Sequence, residues 1–264
     1  NYELSIKPNM TQLPASLAAH LESPLYIGGK KAPSRLALAP MAGLGHIALR
    51  DIIRAFGATP LLFTGMLSAK AVPTENPRVS PVFNWREEEL PCLVAQIFGR
   101  EPKEMAAAAR RIASEGFFGV DINMGCSVAE IVKRGAGAAL LREPDLAVDI
   151  AAAVADAVDI PVMVKLRTGW SNDPEPAVEL AQRLEAAGAA ALCFHPRVAP
   201  DRRTQPVKLA HLRAVVQAVS IPVLGNGNLQ DPADVAAMWE ASGCAGFSIG
   251  RLAVARPWIF AQWQ

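Results

Sequence analysis

The chain has 264 residues, 51% hydrophobic and 19% charged, with 26 Lys+Arg against 25 Asp+Glu. So apolar and balanced a composition excludes a disordered chain, and a net charge of +1 supplies no global field for nucleic acid, so any RNA contact must come from a local patch. Charges or Gly/Pro interrupt every apolar run before the roughly 18–20 residues of a membrane span, so no membrane segment is expected. Cys92, Cys126, Cys193 and Cys244 lie far apart, without the paired spacing of a zinc site, an iron–sulfur cluster or a disulfide framework. The expectation is a reduced, cytoplasmic, metal-free monomer.

Residues 1–34 read as an irregular, Pro-containing opening without the order of a signal peptide, and the start at Asn1 rather than Met suggests processing or trimming. From residue 35 a regular beat sets in. Eight apolar or β-branched runs follow one another: Leu36–Met41, Leu61–Gly65, Cys92–Phe98, Gly119–Met124, Pro161–Leu166, Ala191–His195, Ile221–Gly225 and Gly246–Gly250. They are apolar throughout rather than alternating, as strands covered on both faces by helices must be. Between them lie Ala-rich stretches with helical spacing. Glu101–Ser114 and Pro144–Val158 open with Pro and acidic residues, as helix entries prefer. Val158-Asp159-Ile160-Pro161-Val162 returns almost unchanged as Val219-Ser220-Ile221-Pro222-Val223, the mark of a repeated βα unit. Eight alternations in this length predict an α/β fold, a closed (β/α)8 TIM barrel filling residues 35–264 as one domain.

In such a barrel the chemistry gathers at the C-terminal ends of the strands. Those ends carry Met41, Thr64 with Met66, Gln96, Asn123 with Cys126, Lys165 with Arg167, His195 with Arg197, Asn226, and Gly250 with Arg251. Gly225, Gly227 and Gly250 after the last two strands, beside Arg251, suit the close approach of a phosphate. Lys165 is a charge inside an apolar strand and needs a partner. Either it pairs with a neighbouring carboxylate such as Asp121, or it joins His195 in facing an electron-rich group such as the pyrimidine edge of a reduced flavin. Cys126 sits in a polar loop and has the thiol best placed to react, whereas Cys92, Cys193 and Cys244 lie in or beside apolar runs and read as packing residues.

From Ala37 to Phe260 the sequence resembles the tRNA-dihydrouridine synthase family of flavoproteins. The resemblance is carried by Ala39-Pro40-Met41-Ala42-Gly43, Gln96-Ile97-Phe98-Gly99, Asp121-Ile122-Asn123-Met124-Gly125-Cys126, Lys133-Arg134-Gly135-Ala136-Gly137, Val164-Lys165-Leu166-Arg167, His195 with Arg197, Gly225-Asn226-Gly227 and Ile249-Gly250-Arg251. It implies an enzyme that uses FMN and NADPH to reduce the C5–C6 double bond of uridine in RNA, with tRNA the expected partner. By the same resemblance Met41, Gln96, Lys165, His195, Asn226, Gly227, Gly250 and Arg251 hold FMN, Asn123 and Arg167 face the uracil, and Cys126 is the general acid.

The chain departs from the family pattern in four places. Ser127 stands where Pro usually follows the cysteine, and Thr64-Gly65-Met66 lacks the usual central carboxylate. His195-Pro196-Arg197-Val198 replaces a His-Gly-Arg-Thr segment, with Arg202-Arg203 where an aromatic residue would fall. The chain stops at Gln264, so only the catalytic barrel is expected, without the family's C-terminal helical domain. The candidate RNA contacts are Lys133, Arg134, Arg197, Arg202 and Arg203, with Lys208 nearby. Two other readings compete: a dihydroorotate-dehydrogenase-like FMN reductase of a small pyrimidine, and a non-catalytic flavin- or RNA-binding module.

Overall fold

The computed structural model describes residues 13–199, 201 and 205–263. Arg202 and Arg203 lie outside the described residues. The expected irregular opening is corrected for residues 15–31. Helix α1 (Ala15–Glu22) buries Leu17 and Leu21, and a small antiparallel hairpin, β1 (Tyr26–Ile27) with β2 (Lys30–Lys31), comes next. An eight-residue helix without a side-chain cap and two-residue strands leave no periodicity to read. Tertiary packing holds them instead: Ile27 is fully buried among Phe63, Met163 and Leu224 and plugs the bottom of the barrel. Its turn uses Gly28 and Gly29 at φ +53° and +77°, a tight-hairpin geometry that favours glycine.

Eight parallel strands form the barrel: β3 (Leu36–Leu38), β4 (Leu62–Ser68), β5 (Leu93–Phe98), β6 (Gly119–Met124), β7 (Val162–Gly169), β8 (Ala191–Val198), β9 (Val223–Asn226) and β10 (Gly246–Ile249). Their order around the sheet is β3-β10-β9-β8-β7-β6-β5-β4. The ring is brought round by one parallel bridge, Ala37 to Leu61, in which Leu38 N donates to Leu61 O at 2.9 Å and Leu61 N to Leu36 O at 3.0 Å. The helices are α2 (Ile47–Ala55), α3 (Pro102–Ser114), α4 (Ala129–Lys133), α5 (Pro144–Ala155), α6 (Glu175–Ala186), α7 (Leu209–Ala218), α8 (Pro232–Ser242), α9 (Arg251–Ala255) and α10 (Ile259–Trp263). Helix α3 shows why they form: Pro102 occupies the first turn, Glu104 faces the positive helix end, and Met105, Ala108, Ala109 and Ile112 make one buried stripe. Among the described residues no helix is long and apolar enough to cross a membrane.

The period-two rule of strands decides what the barrel can do. On β7, Val162, Val164 and Leu166 point outward into the core shared with the helices, while Met163, Lys165 and Arg167 point inward. On β8, Leu192 and Phe194 point outward, leaving Cys193, His195 and Arg197 inside. Met163, Cys193 and Leu224 fill the sealed lower end with Ile27. Above them the inner face turns polar.

Candidate active site

A cleft of about 790 Å³ opens at the C-terminal ends of the strands, within the range of small-molecule and cofactor sites. It is lined by Met41, Asn123, Cys126, Lys165, Arg167, His195, Arg197, Asn226, Gly227, Gly250 and Arg251, eleven of the sequence candidates gathered from six strands and their loops. Among the described residues five cations line it, Lys165, Arg167, Arg197, Arg251 and Arg256, against one carboxylate, Asp201. A chain of net charge +1 thus concentrates positive potential in one place, which favours an anionic ligand.

Lys165 Nζ donates to Asn226 Oδ1 at 3.1 Å, and Asn226 Nδ2 donates in turn to the Ser248 carbonyl at 2.7 Å. The ammonium is thus aimed across the cleft floor at Asn226, and among the described residues no ion pair joins it to Asp121, although its charge still acts on that carboxyl. Burial, with Lys165, Arg167, Arg197 and Arg251 around it, holds the His195 pKa well below the ordinary imidazole range. The ring is therefore neutral, and its buried Nε2 has no hydrogen-bond partner among the described residues. Gly227, at φ +114°, passes so close to this ring that a Cβ would stand 2.7 Å from His195 Cδ2 and Nε2. Only glycine lets the β9 loop lie against the imidazole.

Cys126 is half-buried on the opposite wall and is the only free cysteine among the described residues that is not buried. Its loop is fixed by Asn123, whose Oδ1 accepts from Gly125 N at 3.1 Å and Cys126 N at 2.9 Å. The Cys126 carbonyl accepts from Ala138 N at 2.8 Å, and Gly137, at φ +61°, packs so tightly that a Cβ would meet that carbonyl at 2.6 Å. Arg167 spans the cleft mouth, donating through Nε to the Gly125 carbonyl at 2.6 Å and through Nη1 to the Val198 carbonyl at 3.4 Å.

Among the described residues four candidates lie elsewhere than at the cleft wall. Gln96 is fully buried beneath it, donating through Nε2 to Asp121 Oδ2 at 2.6 Å and accepting at Oε1 from Asn123 Nδ2 at 2.9 Å. Gly225 faces outward, where a Cβ would meet Met238 Sδ at 2.5 Å and Cys244 Sγ at 3.2 Å, so its smallness serves helix packing. Lys133 and Arg134 are exposed at the C-terminal end of α4, in the segment after the Cys126 loop, and Arg134 pairs with Glu130 at 2.8 Å. Arg197 is buried instead of lying on the rim: its guanidinium donates to the Gln205 carbonyl and, at 2.8 Å, to Asn228 Oδ1. Arg251 Nη2 donates to the same oxygen at 3.2 Å.

Asn228, which the sequence reading passed over, therefore joins two guanidiniums at one end of the cleft. It holds φ +52°, a left-handed conformation that asparagine tolerates, and only the Gly227-Asn228 turn pair hinted at it. Arg256 was also missed; it enters the cleft where Pro257 ends the preceding short helix. Gly65 sits at a register shift in β4, and a Cβ there would meet the Met41 carbonyl at an ordinary 3.6 Å. The missing carboxylate is thus not a steric necessity.

The dihydrouridine synthase (Dus) family profile matches residues 37–264. The chain is 39% identical over 242 residues to tRNA-dihydrouridine synthase B of Proteus vulgaris, covering 91% of this chain and 74% of that protein. It is 37% identical over 240 residues to the protein of the same name from Escherichia coli (strain K12), again covering 91% and 74%. Among solved structures, morphinone reductase superposes with TM-score 0.63 at 14% identity, covering 92% of this chain and 90% of that one. Histamine dehydrogenase from Rhizobium sp. 4-9 reaches 0.69 at 12% identity, covering 93% and 48%. At such identities the structural likeness is one of fold, whereas the profile match and the close relatives agree over nearly the whole barrel, and the chain belongs to the dihydrouridine synthase family.

Proposed function

We propose that this protein reduces uridine in tRNA to 5,6-dihydrouridine, with FMN as its resident cofactor and NADPH as reductant. The relatives named above are tRNA-dihydrouridine synthases. The observation that carries the reading is the Cys126 thiol on one wall of a cation-lined cleft, facing a floor that presents an ammonium and a neutral imidazole.

The residues present fit a flavin mononucleotide. His195 Nε2 is buried and has no hydrogen-bond partner among the described residues, and Gly227 and Gly250 line the cleft beside it. Lys165 and His195 would hold the pyrimidine edge, the ammonium stabilising negative charge there. Arg251 and Arg197, joined at Asn228, would hold the phosphate. Met41, Asn226 and Gly250 would complete the cradle. When bound and reduced, FMN supplies the hydride that reaches C6 of the uracil. Cys126 Sγ–H delivers the proton to C5, and the half-buried thiolate regains a proton from solvent. Arg167 stands at the mouth to face the base, and Asn123 keeps the cysteine loop in place. The target uridine must leave its stack to enter, and the exposed Lys133 and Arg134 extend the positive rim toward RNA phosphates.

The test uses purified protein, NADPH and tRNA lacking dihydrouridine. Wild type is expected to be yellow, to release FMN on denaturation and to form dihydrouridine. Cys126→Ala should keep the flavin and lose about 10²–10⁴-fold in rate. Turnover of free uridine with tRNA left unmodified, or an unimpaired Cys126→Ala variant, would overturn the proposal.

A further inference from the structure

We infer that Asp121 is a positioning residue: from beneath the cleft it sets the direction of a buried hydrogen-bond chain, through Gln96 and Asn123, that holds the Cys126 loop. The inference rests on the assignment of Cys126 as the acid. The chain runs between two adjacent strands, from Asp121 on β6 to Gln96 on β5 and back to Asn123 on β6. Asp121 Oδ2 accepts from Gln96 Nε2 at 2.6 Å, Gln96 Oε1 accepts from Asn123 Nδ2 at 2.9 Å, and Asn123 Oδ1 accepts from Gly125 N and Cys126 N. Parallel pairing makes the juxtaposition inevitable, because Gln96 is in register with Asp121 across β5 and β6.

The two amides in the middle are ambiguous. Each could be turned end for end, since carbamoyl oxygen and nitrogen are nearly isosteric. Two fixed ends remove the ambiguity. At the top, the backbone N–H groups of Gly125 and Cys126 can only donate, so Asn123 must present oxygen to them and nitrogen to Gln96. At the bottom, Gln96 must then present nitrogen, and the group at position 121 must accept. A carboxylate accepts in either orientation, and an apolar residue in neither. All three side chains are at most 5% exposed, so no bulk water can stand in for a missing partner. The other oxygen, Asp121 Oδ1, has no hydrogen-bond partner among the described residues, so the carboxylate is retained at a desolvation penalty that packing alone does not explain.

Asp121→Leu removes the acceptor and leaves the Gln96 amide orphaned. Asp121→Asn keeps one acceptor oxygen and serves as the conservative rescue. In the leucine variant kcat for tRNA reduction should fall about tenfold or more, with KM for tRNA and flavin content per chain close to wild type. Iodoacetamide alkylation of Cys126, followed by mass spectrometry, should change rate in step. The asparagine variant should recover most of both. Gln96→Met cuts the same chain one link higher, so Asp121→Leu with Gln96→Met should cost no more than the worse single change. If Asp121→Leu does not fold, Gln96→Met and Asp121→Asn still give the comparison. The inference is overturned by equal losses in the leucine and asparagine variants, by a defect confined to flavin content or KM, or by additive losses in the double variant. Should wild type prove inactive on tRNA, the assignment of the acid fails by itself, and an alkylation rate unmoved in Asp121→Leu and Gln96→Met then overturns the relay separately.

Discussion

Gly225 stands in β9 and Gly227 just past its end, where a positive-φ turn faces it the other way, and alanine at each should produce different failures. At Gly227 the backbone holds φ +114°, sparsely populated for any residue with a side chain, at about 1–3 kcal/mol. The new methyl would also stand 2.7 Å from His195 Cδ2 and Nε2 and 2.8 Å from Val207 Cγ1, an overpacking worth about 1–3 kcal/mol more. At Gly225 no positive φ is involved. A methyl would meet Met238 Sδ at 2.5 Å, the flexible end of a side chain, together with Leu212 and Cys244 on the helix side, for about 1–3 kcal/mol of packing strain alone. With about 2 °C lost per kcal/mol in a chain of this size, Gly227→Ala should melt roughly 4–12 °C lower and Gly225→Ala roughly 2–6 °C lower. The decisive assay is FMN titration of the apoprotein by flavin fluorescence. Gly227→Ala should lose affinity at least about tenfold, because the methyl displaces the imidazole from the cleft floor, a shift equal to about 1.4 kcal/mol. Gly225→Ala should bind as wild type does. Equal flavin affinity in both variants, or the loss falling on Gly225→Ala, would refute this account of the β9 loop.

Arg251→Ala should weaken FMN binding, and Asn228→Ala should do so too although its amide carries no charge, because it aligns both guanidiniums; unchanged retention in a flavin-release assay would remove the phosphate end from this place. Burial raises the Asp121 pKa from its ordinary 3.8 to about 7, against the Gln96 hydrogen bond and the Lys165 charge. The folded chain then holds a proton that the unfolded chain has lost, so this group lowers stability as pH rises from about 4 to 7. Melting curves of wild type and Asp121→Asn should diverge across that window, wild type losing ground toward pH 7, and parallel curves would contradict it. Burial depresses His195 instead, so its contribution to stability is present above pH ~6.5 and lost as pH falls below it, a loss that should be absent in His195→Gln. Arg50 and Glu89 form a buried pair, bonded at 3.1 Å and both fully inaccessible, so Glu89→Gln should destabilise the fold by about 3–5 kcal/mol in urea titration.

The barrel was legible because its strands are short apolar runs separated by glycine and by amphipathic helices, and β6 falls on the expected residues, Gly119–Met124. The cleft was legible because barrels place their chemistry at strand ends, so the polar residues just past each apolar run were already its walls. A linear reading could not supply the facing of each residue. Gly225 was grouped with Gly227 because they lie close in sequence, but Gly225 is still in β9 and faces the helices, whereas Gly227 lies just past the strand, where φ +114° turns it against His195. Arg197 looked like a surface cation because it stands just past a strand, whereas its register turns it inward to Asn228. The Asp121, Gln96 and Asn123 chain joins residues up to 27 positions apart, and only the pairing of β5 with β6 brings them together.

The single bridge between Ala37 and Leu61 makes the staves of this ring unequal. Elsewhere adjacent strands are stitched over three or more paired positions, but beneath Met41 and Leu44 one stitch joins the first stave to the second. The Cys126 loop is held by Asn123, Ala138 and Arg167, whereas a single bridge holds the β3–β4 junction. Deuterium should enter the Leu38 and Leu61 amides well before those of Val164 or Leu166.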